Sequence, residues 1–179
     1  MTGLTDIPLR MNDGRMATLA DWQGKVVLVV NVASKCGLTP QYAALEALYR
    51  AHGDAGFTVL GVPSNDFRGQ EPGTDAEILE FCTTAYDVTF PLAARTPVSG
   101  DRAHPLYAAL AAACPVAQGE GPMRERLETK GPANPPPQIL WNFEKFLIGR
   151  DGQVLARFAP DVTPDDPRVT TAIRAALAA

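Results

Sequence analysis

Val26-Val27-Leu28-Val29-Val30, running straight into Asn31-Val32-Ala33-Ser34-Lys35-Cys36-Gly37-Leu38-Thr39-Pro40-Gln41-Tyr42, is the stretch on which the reading of this chain turns. Five uncharged, mostly β-branched residues in a row describe a central strand covered on both faces, since a strand with one wet face alternates. The chain must then turn. Thr39 and Pro40 read as helix N-cap and first helical residue, because threonine accepts an orphan backbone N–H and proline needs no donor there. Cys36 therefore falls just ahead of a helix's positive end, where a thiolate is favoured. An ordinary thiol, with a pKa of about 8.5, is only about 3% thiolate at pH 7, so such a turn matters to a nucleophile. Cys36 equally fits an inert small hydrophobe, since unpaired cysteines are among the most buried residues. The turn alone leaves both readings open.

Downstream, Pro40 to about His52 carries Leu45, Leu48 and Tyr49 on one helical face and stops at Gly53. Phe57 to Val62 reads as a second buried strand, so strand, helix, strand imply a right-handed parallel crossover. Upstream, Asn12-Asp13-Gly14 marks the turn of an opening β-hairpin. Thr74 and Glu77 have capping-box spacing ahead of Ile78, Leu79, Phe81, Cys82 and Ala85, which places Cys82 on or beside a buried helix face. A further helix runs from about His104 to Ala113. Residues 115 to 138, with Pro115, Gly119, Gly121, Pro122 and Pro135-Pro136-Pro137, break every period and read as an unstructured connection that serves an interface or a site or is mobile. Phe143 to Gly149 and Gln153 to Phe158 form a hairpin across Asp151-Gly152, and Val169, Ile173 and Leu177 mark a closing helix. The sum is an α/β fold, a mixed central sheet with helices on both faces and an N-terminal β-hairpin.

The 179 residues, 46% hydrophobic and 20% charged, suit one domain over 1–179. A net charge of −4 without a basic block leaves no electrostatic footprint for nucleic acid or an anionic membrane. No run reaches the roughly 20 apolar residues that span a bilayer, and no export signal opens the chain, so the expected location is cytoplasmic. Three scattered cysteines, 36, 82 and 114, do not staple a scaffold, and with His52 and His104 as the two histidines no metal-site spacing appears. Cytosolic thiol chemistry is the natural alternative. A general disulfide oxidoreductase lacks its CxxC, since the residue three after Cys36 is Thr39.

Three blocks coincide: the Cys36 segment, Gly69-Gln70-Glu71-Pro72-Gly73, and Trp141-Asn142-Phe143-Glu144-Lys145-Phe146-Leu147. With Asp87-Val88-Thr89-Phe90-Pro91 and His104-Pro105-Leu106-Tyr107 between them, the chain resembles the glutathione peroxidase family from about Ile7 to Pro160, and within it the bacterial cysteine-containing branch. The resemblance implies a thioredoxin-like fold and hydroperoxide reduction without a cofactor. Cys36 falls on the peroxidatic position, with Gln70, Trp141 and Asn142 on the remaining active-site positions. Their chemistry fits, because the indole N–H and two carboxamides would favour an anionic sulfur without adding a competing charge. Outside the resemblance Trp141 reads as a packed aromatic, Asn142 as a turn or strand-start residue and Gln70 as a solvated loop side chain. Cys82 occupies the position of the resolving cysteine in thioredoxin-using members, implying a Cys36–Cys82 disulfide reopened by thioredoxin. Closing that bond needs Cα atoms within about 7 Å; a helical Cys82 that starts farther away requires local unwinding of its helix, and the alternative is that Cys82 simply packs beside Ile78.

The sequence departs from the family at Ser64 and Asp66, where many members carry cysteine and glutamine. Cys114 reads as a packed helix-end residue. Two alternatives stand beside the two-cysteine cycle: a one-cysteine cycle in which glutathione attacks the oxidised Cys36, and a non-enzymatic thioredoxin-like relay passing oxidation to a partner. The 115–138 connection would cover the site or build a homo-oligomer contact.

Overall fold

The computed structural model describes residues 3–179. Strands β1 (Leu9–Arg10) and β2 (Met16–Ala17) form the expected antiparallel hairpin. The main sheet follows, with β3 (Val26–Val32) in its middle beside β4 (Phe57–Pro63), β5 (Lys145–Ile148) and β6 (Val154–Phe158). Its order is β4-β3-β5-β6; β3 and β4 are parallel, while β5 runs antiparallel to both β3 and β6. The parallel pair is joined by α1 (Gln41–His52), the anticipated crossover.

All seven β3 residues are buried, and they divide by parity. Val26, Leu28, Val30 and Val32 pack with Tyr42 and Leu45 of α1, with Ile78 and Cys82 of α2 (Asp75–Tyr86), and with Val169 and Ile173 of the closing helix. Val27 and Val29 face the other way, onto Leu106, Tyr107 and Leu110 of α3 (Pro105–Ala113) and onto the hairpin's Leu9 and Ala17. Period-two alternation thus feeds two apolar layers, which is why Val26–Val30 shows no polar residue on either face; Asn31 is the strand's one buried polar side chain.

Residues 115 to 138 depart from expectation. They contain α4 (Glu120–Glu128), which seats Met123 in the interior and pairs Arg124 with Glu120 one turn apart. Gly121 and Pro122 read as breakers, yet both fall in the first turn, where no N–H has an intrahelical partner and proline costs nothing. Gly119, at φ 77°, makes the entry turn. The remaining helix is α5 (Pro167–Ala178), capped by Asp166. No helix among the described residues is long and apolar enough to cross a membrane.

Candidate active site

The chain begins to coil at Cys36 itself. The Thr39 N–H donates to the Cys36 carbonyl at 3.1 Å, and successive turns carry on into α1. Thr39 is therefore not the N-cap expected of it; Pro40 holds that position with helical backbone angles. The Thr39 hydroxyl instead accepts the Cys36 N–H at 3.0 Å and donates to the Ala33 carbonyl at 2.7 Å. In return, Cys36 Sγ accepts the Leu38 N–H at 3.3 Å. The reciprocity is that of a capping box with sulfur in place of a hydroxyl: two orphan donors of an entering turn are satisfied, one of them by the thiol. Cys36 is half-buried, packed on the α1 side of the sheet.

The second block meets this turn through the backbone, where the Lys35 N–H donates to the Gln70 carbonyl at 3.0 Å. Arg68 and Gly69 both adopt left-handed angles, φ 56° and 63°, and so aim Gln70 back toward the cysteine turn. The third block joins through side chains: Asn142 Nδ2 donates to Gln70 Oε1 at 2.9 Å. Asn142 is fully buried. Because Asn142 occupies that oxygen, the Gln70 amide keeps its N–H groups. Among the described residues neither these nor the Trp141 indole N–H bonds to a protein acceptor, and none of the three side chains bonds Sγ. The hydrogen bond to sulfur comes from Leu38, a backbone donor the sequence reading did not name.

Asn31, on β3, holds the Trp141–Phe143 turn at both ends: its Nδ2 donates to the Trp141 carbonyl at 3.0 Å and its carbonyl accepts the Phe143 N–H at 2.6 Å. Phe143 sits at φ 68°, an uncommon conformation for a bulky residue that this double grip enforces. The Trp141 ring lies 5.5 Å from that of Phe67, with the Arg68 guanidinium 5.4 Å from its centroid. A cavity of about 340 Å³ opens here, between Arg68 and Trp141 on one side and Leu127 and Pro132 on the other. The segment holding α4 thus forms one wall beside Trp141.

Cys82 lies elsewhere, on α2, wholly buried among Tyr42 and Ile78. Burial, with the Glu71 charge nearby, pushes its thiol up to about 11, against the lowering effect of the Tyr42 hydroxyl. Glu71 is itself buried, and loss of water raises its carboxyl while Ser34 and the charges of Arg95 and Lys35 oppose the shift. A cavity of about 250 Å³ separates Ser34 and Lys35 from Ile78 and Phe81 of α2. Cys114 ends α3, half-buried, its Sγ 3.8 Å from the Val116 carbonyl. Among the described residues no group of three or more His, Cys, Asp or Glu is placed to hold a metal ion.

The glutathione peroxidase family model matches residues 4–111. The chain is 54% identical over 169 residues to the thioredoxin/glutathione peroxidase BtuE of Escherichia coli, covering 93% of this chain and 92% of that one. It is 47% identical over 154 residues to a hydroperoxy fatty acid reductase of Synechocystis, covering 86% and 85%. Among solved structures, it superposes on the apo crystal structure of Trgpx with a TM-score of 0.72 at 35% identity, over 99% of this chain and 97% of that one.

Proposed function

The chain belongs to the glutathione peroxidase family and is a thiol-dependent peroxidase, and within that activity we propose that Cys36 is the peroxidatic residue, Cys82 its resolving partner and thioredoxin the reductant. The observation that carries the reading is the linkage Asn142–Gln70–Lys35. It delivers a carboxamide pair, anchored by the buried Asn142, to the turn whose sulfur already accepts an N–H.

Cys36 sulfur attacks the terminal oxygen of the hydroperoxide, the O–O bond breaks, and the leaving alkoxide or hydroxide takes up a proton to depart as alcohol or water. The Leu38 N–H, with the free donors of Gln70 and Trp141, stabilises negative charge on sulfur and then on the departing oxygen. Cys82 thiolate next attacks the sulfenic sulfur; the S–O bond breaks and the leaving hydroxide takes up a proton to depart as water. Two electrons from thioredoxin reopen the disulfide by thiol exchange. No prosthetic group or metal enters the cycle. The reading treats residues 1–179 as one peroxidase domain working in the cytosol.

The burial of Cys82 requires α2 to open between oxidation and resolution. That same burial favours a second reading, in which glutathione attacks the half-exposed Cys36 directly, and the E. coli relative bears both reductants in its name. Steady-state reduction of hydrogen peroxide and of an organic hydroperoxide, with thioredoxin and glutathione supplied separately, tests both. Mapping of alkylated cysteines after one equivalent of peroxide accompanies it. Turnover with thioredoxin and a Cys36–Cys82 disulfide support the first; free Cys82 beside oxidised Cys36 and turnover with glutathione alone would replace it with the second. No turnover with either reductant would leave the relay.

A further inference from the structure

Lys145 is a lysine without a role in the chemistry above, and its surroundings are unusual. It is the first residue of β5, paired with Val30 of β3 on one side and Phe158 of β6 on the other, and is fully buried. Parity puts it with Phe143 and Leu147 on the α1 face, the layer against which Cys36 packs. Its Nζ meets no carboxylate within 4.0 Å among the described residues. It donates instead to two backbone carbonyls, that of Phe143 at 2.6 Å and that of Pro160 at 3.0 Å.

Each carbonyl belongs to a different part of the site's support. Phe143 closes the turn that presents Trp141 and Asn142. The Pro160 carbonyl also accepts Gln41 Nε2 at 2.8 Å, and Gln41 is the first residue of α1, the helix into which the Cys36 turn runs. One amine therefore ties the Trp141–Asn142 turn, through Pro160, to the helix start behind Cys36. A neutral amine has two N–H groups for these two acceptors, whereas an ammonium in the same dry pocket carries a third without a partner.

We propose that Lys145 is a positioning residue of the peroxidase reaction, its buried amine holding the Trp141–Asn142 turn in register with the Cys36 helix start. The inference rests on the reading of those residues as the active site. Burial lowers the amine from 10.5 to about 7. The groups that oppose this are Glu144 immediately before β5, paired with Arg157, and Asp161 and Asp166 in the segment that enters α5. Facing residues Val30, Phe158 and Gln41 add no charge. The grip on Phe143 is therefore proton-sensitive near neutrality.

The test uses Trp22→Phe as background, so that Trp141 is the single indole, and compares it with Lys145→Met and Gln41→Leu. Trp141 emission in the background protein should show a pH step near 7 that Lys145→Met abolishes. In Lys145→Met, kcat/KM for hydrogen peroxide should fall about tenfold while iodoacetamide alkylates Cys36 within about threefold of the background rate. Gln41→Leu, which leaves the lysine and removes the other donor to Pro160, should show a smaller loss, about threefold. Unchanged kcat/KM in folded Lys145→Met overturns the proposal, as does absence of the pH step from the background protein, a reading that holds even where Lys145→Met fails to fold. Failure of the background protein to reduce peroxide at all would strike the active-site reading instead.

Discussion

Cys36 and Cys82 are the same side chain in two backbone settings, and the settings assign opposite chemistry. Cys36 stands where a helix is starting and orphan N–H groups seek acceptors, so its sulfur receives a donor. Cys82 stands in the middle of α2, where every N–H is committed to the helix ladder, and burial pushes its thiol up to about 11. Sulfur at the helix entrance accepts a backbone N–H and is partly exposed; sulfur on the interior face is fully buried. Under the proposed two-cysteine cycle, α2 opens before Cys82 acts.

Replacing Cys36 by Ser attacks the contrast at its root and should lower peroxide reduction by about 10³-fold or more, measured as kcat/KM with either reductant. Equal activity would erase the distinction. Removing the carboxamide that links the blocks is the next largest step. Asn142→Ala should cost about 10²-fold in the rate of Cys36 oxidation, read in single turnover, in line with loss of a preorganised charge-stabilising network. Cys82→Ser should leave that single-turnover rate within about twofold and lower thioredoxin-coupled turnover about tenfold, which separates the two sulfurs by step.

Burial of Cys82 also makes a stability prediction. Its folded value, about 11, lies above that of an exposed thiol, so between the two values the unfolded chain binds fewer protons and stability falls as pH rises. Unfolding free energies from urea titrations should drop from pH 8 to pH 10 by about 1 kcal/mol more in the wild type than in Cys82→Ala. The smallest effect concerns the opening of α2. Thr74 accepts the Glu77 N–H at 3.2 Å in a complete capping box, and Thr74→Ala should loosen the helix by about 0.5–1 kcal/mol. If α2 opening limits disulfide formation, that substitution accelerates it about threefold; a slower rate would show that resolution needs the helix intact.

The contrast bears on what could be read in advance. The β3 run, the crossover, the capping box of α2 and the closing hairpin are written in local pattern, because period, cap and turn chemistry act within a few residues. The helix α4 was hidden by Gly121 and Pro122, whose meaning depends on standing in a first turn rather than an interior one. Thr39 was misread because its hydroxyl has two uses, and only the path of the chain from Ala33 to Pro40 decided that it bonds Cys36 rather than capping α1. Nor could the Leu38 donor be named, since backbone N–H groups look alike in every sequence.

By itself the amino-acid order determined that a strand delivers Cys36 to a helix entrance, that three blocks carry the family's resemblance, and that Cys82 lies on an apolar helix face. Tertiary structure alone decided that Asn142 and Gln70, 72 positions apart, share a hydrogen bond, and that Asn31 and Lys145 clamp the turn between them. It also set how deeply Cys82 is buried. The reason is one of range. Local pattern records what a residue does with its near neighbours, whereas solvent exclusion and long-range donor–acceptor pairing exist only after distant segments have packed together.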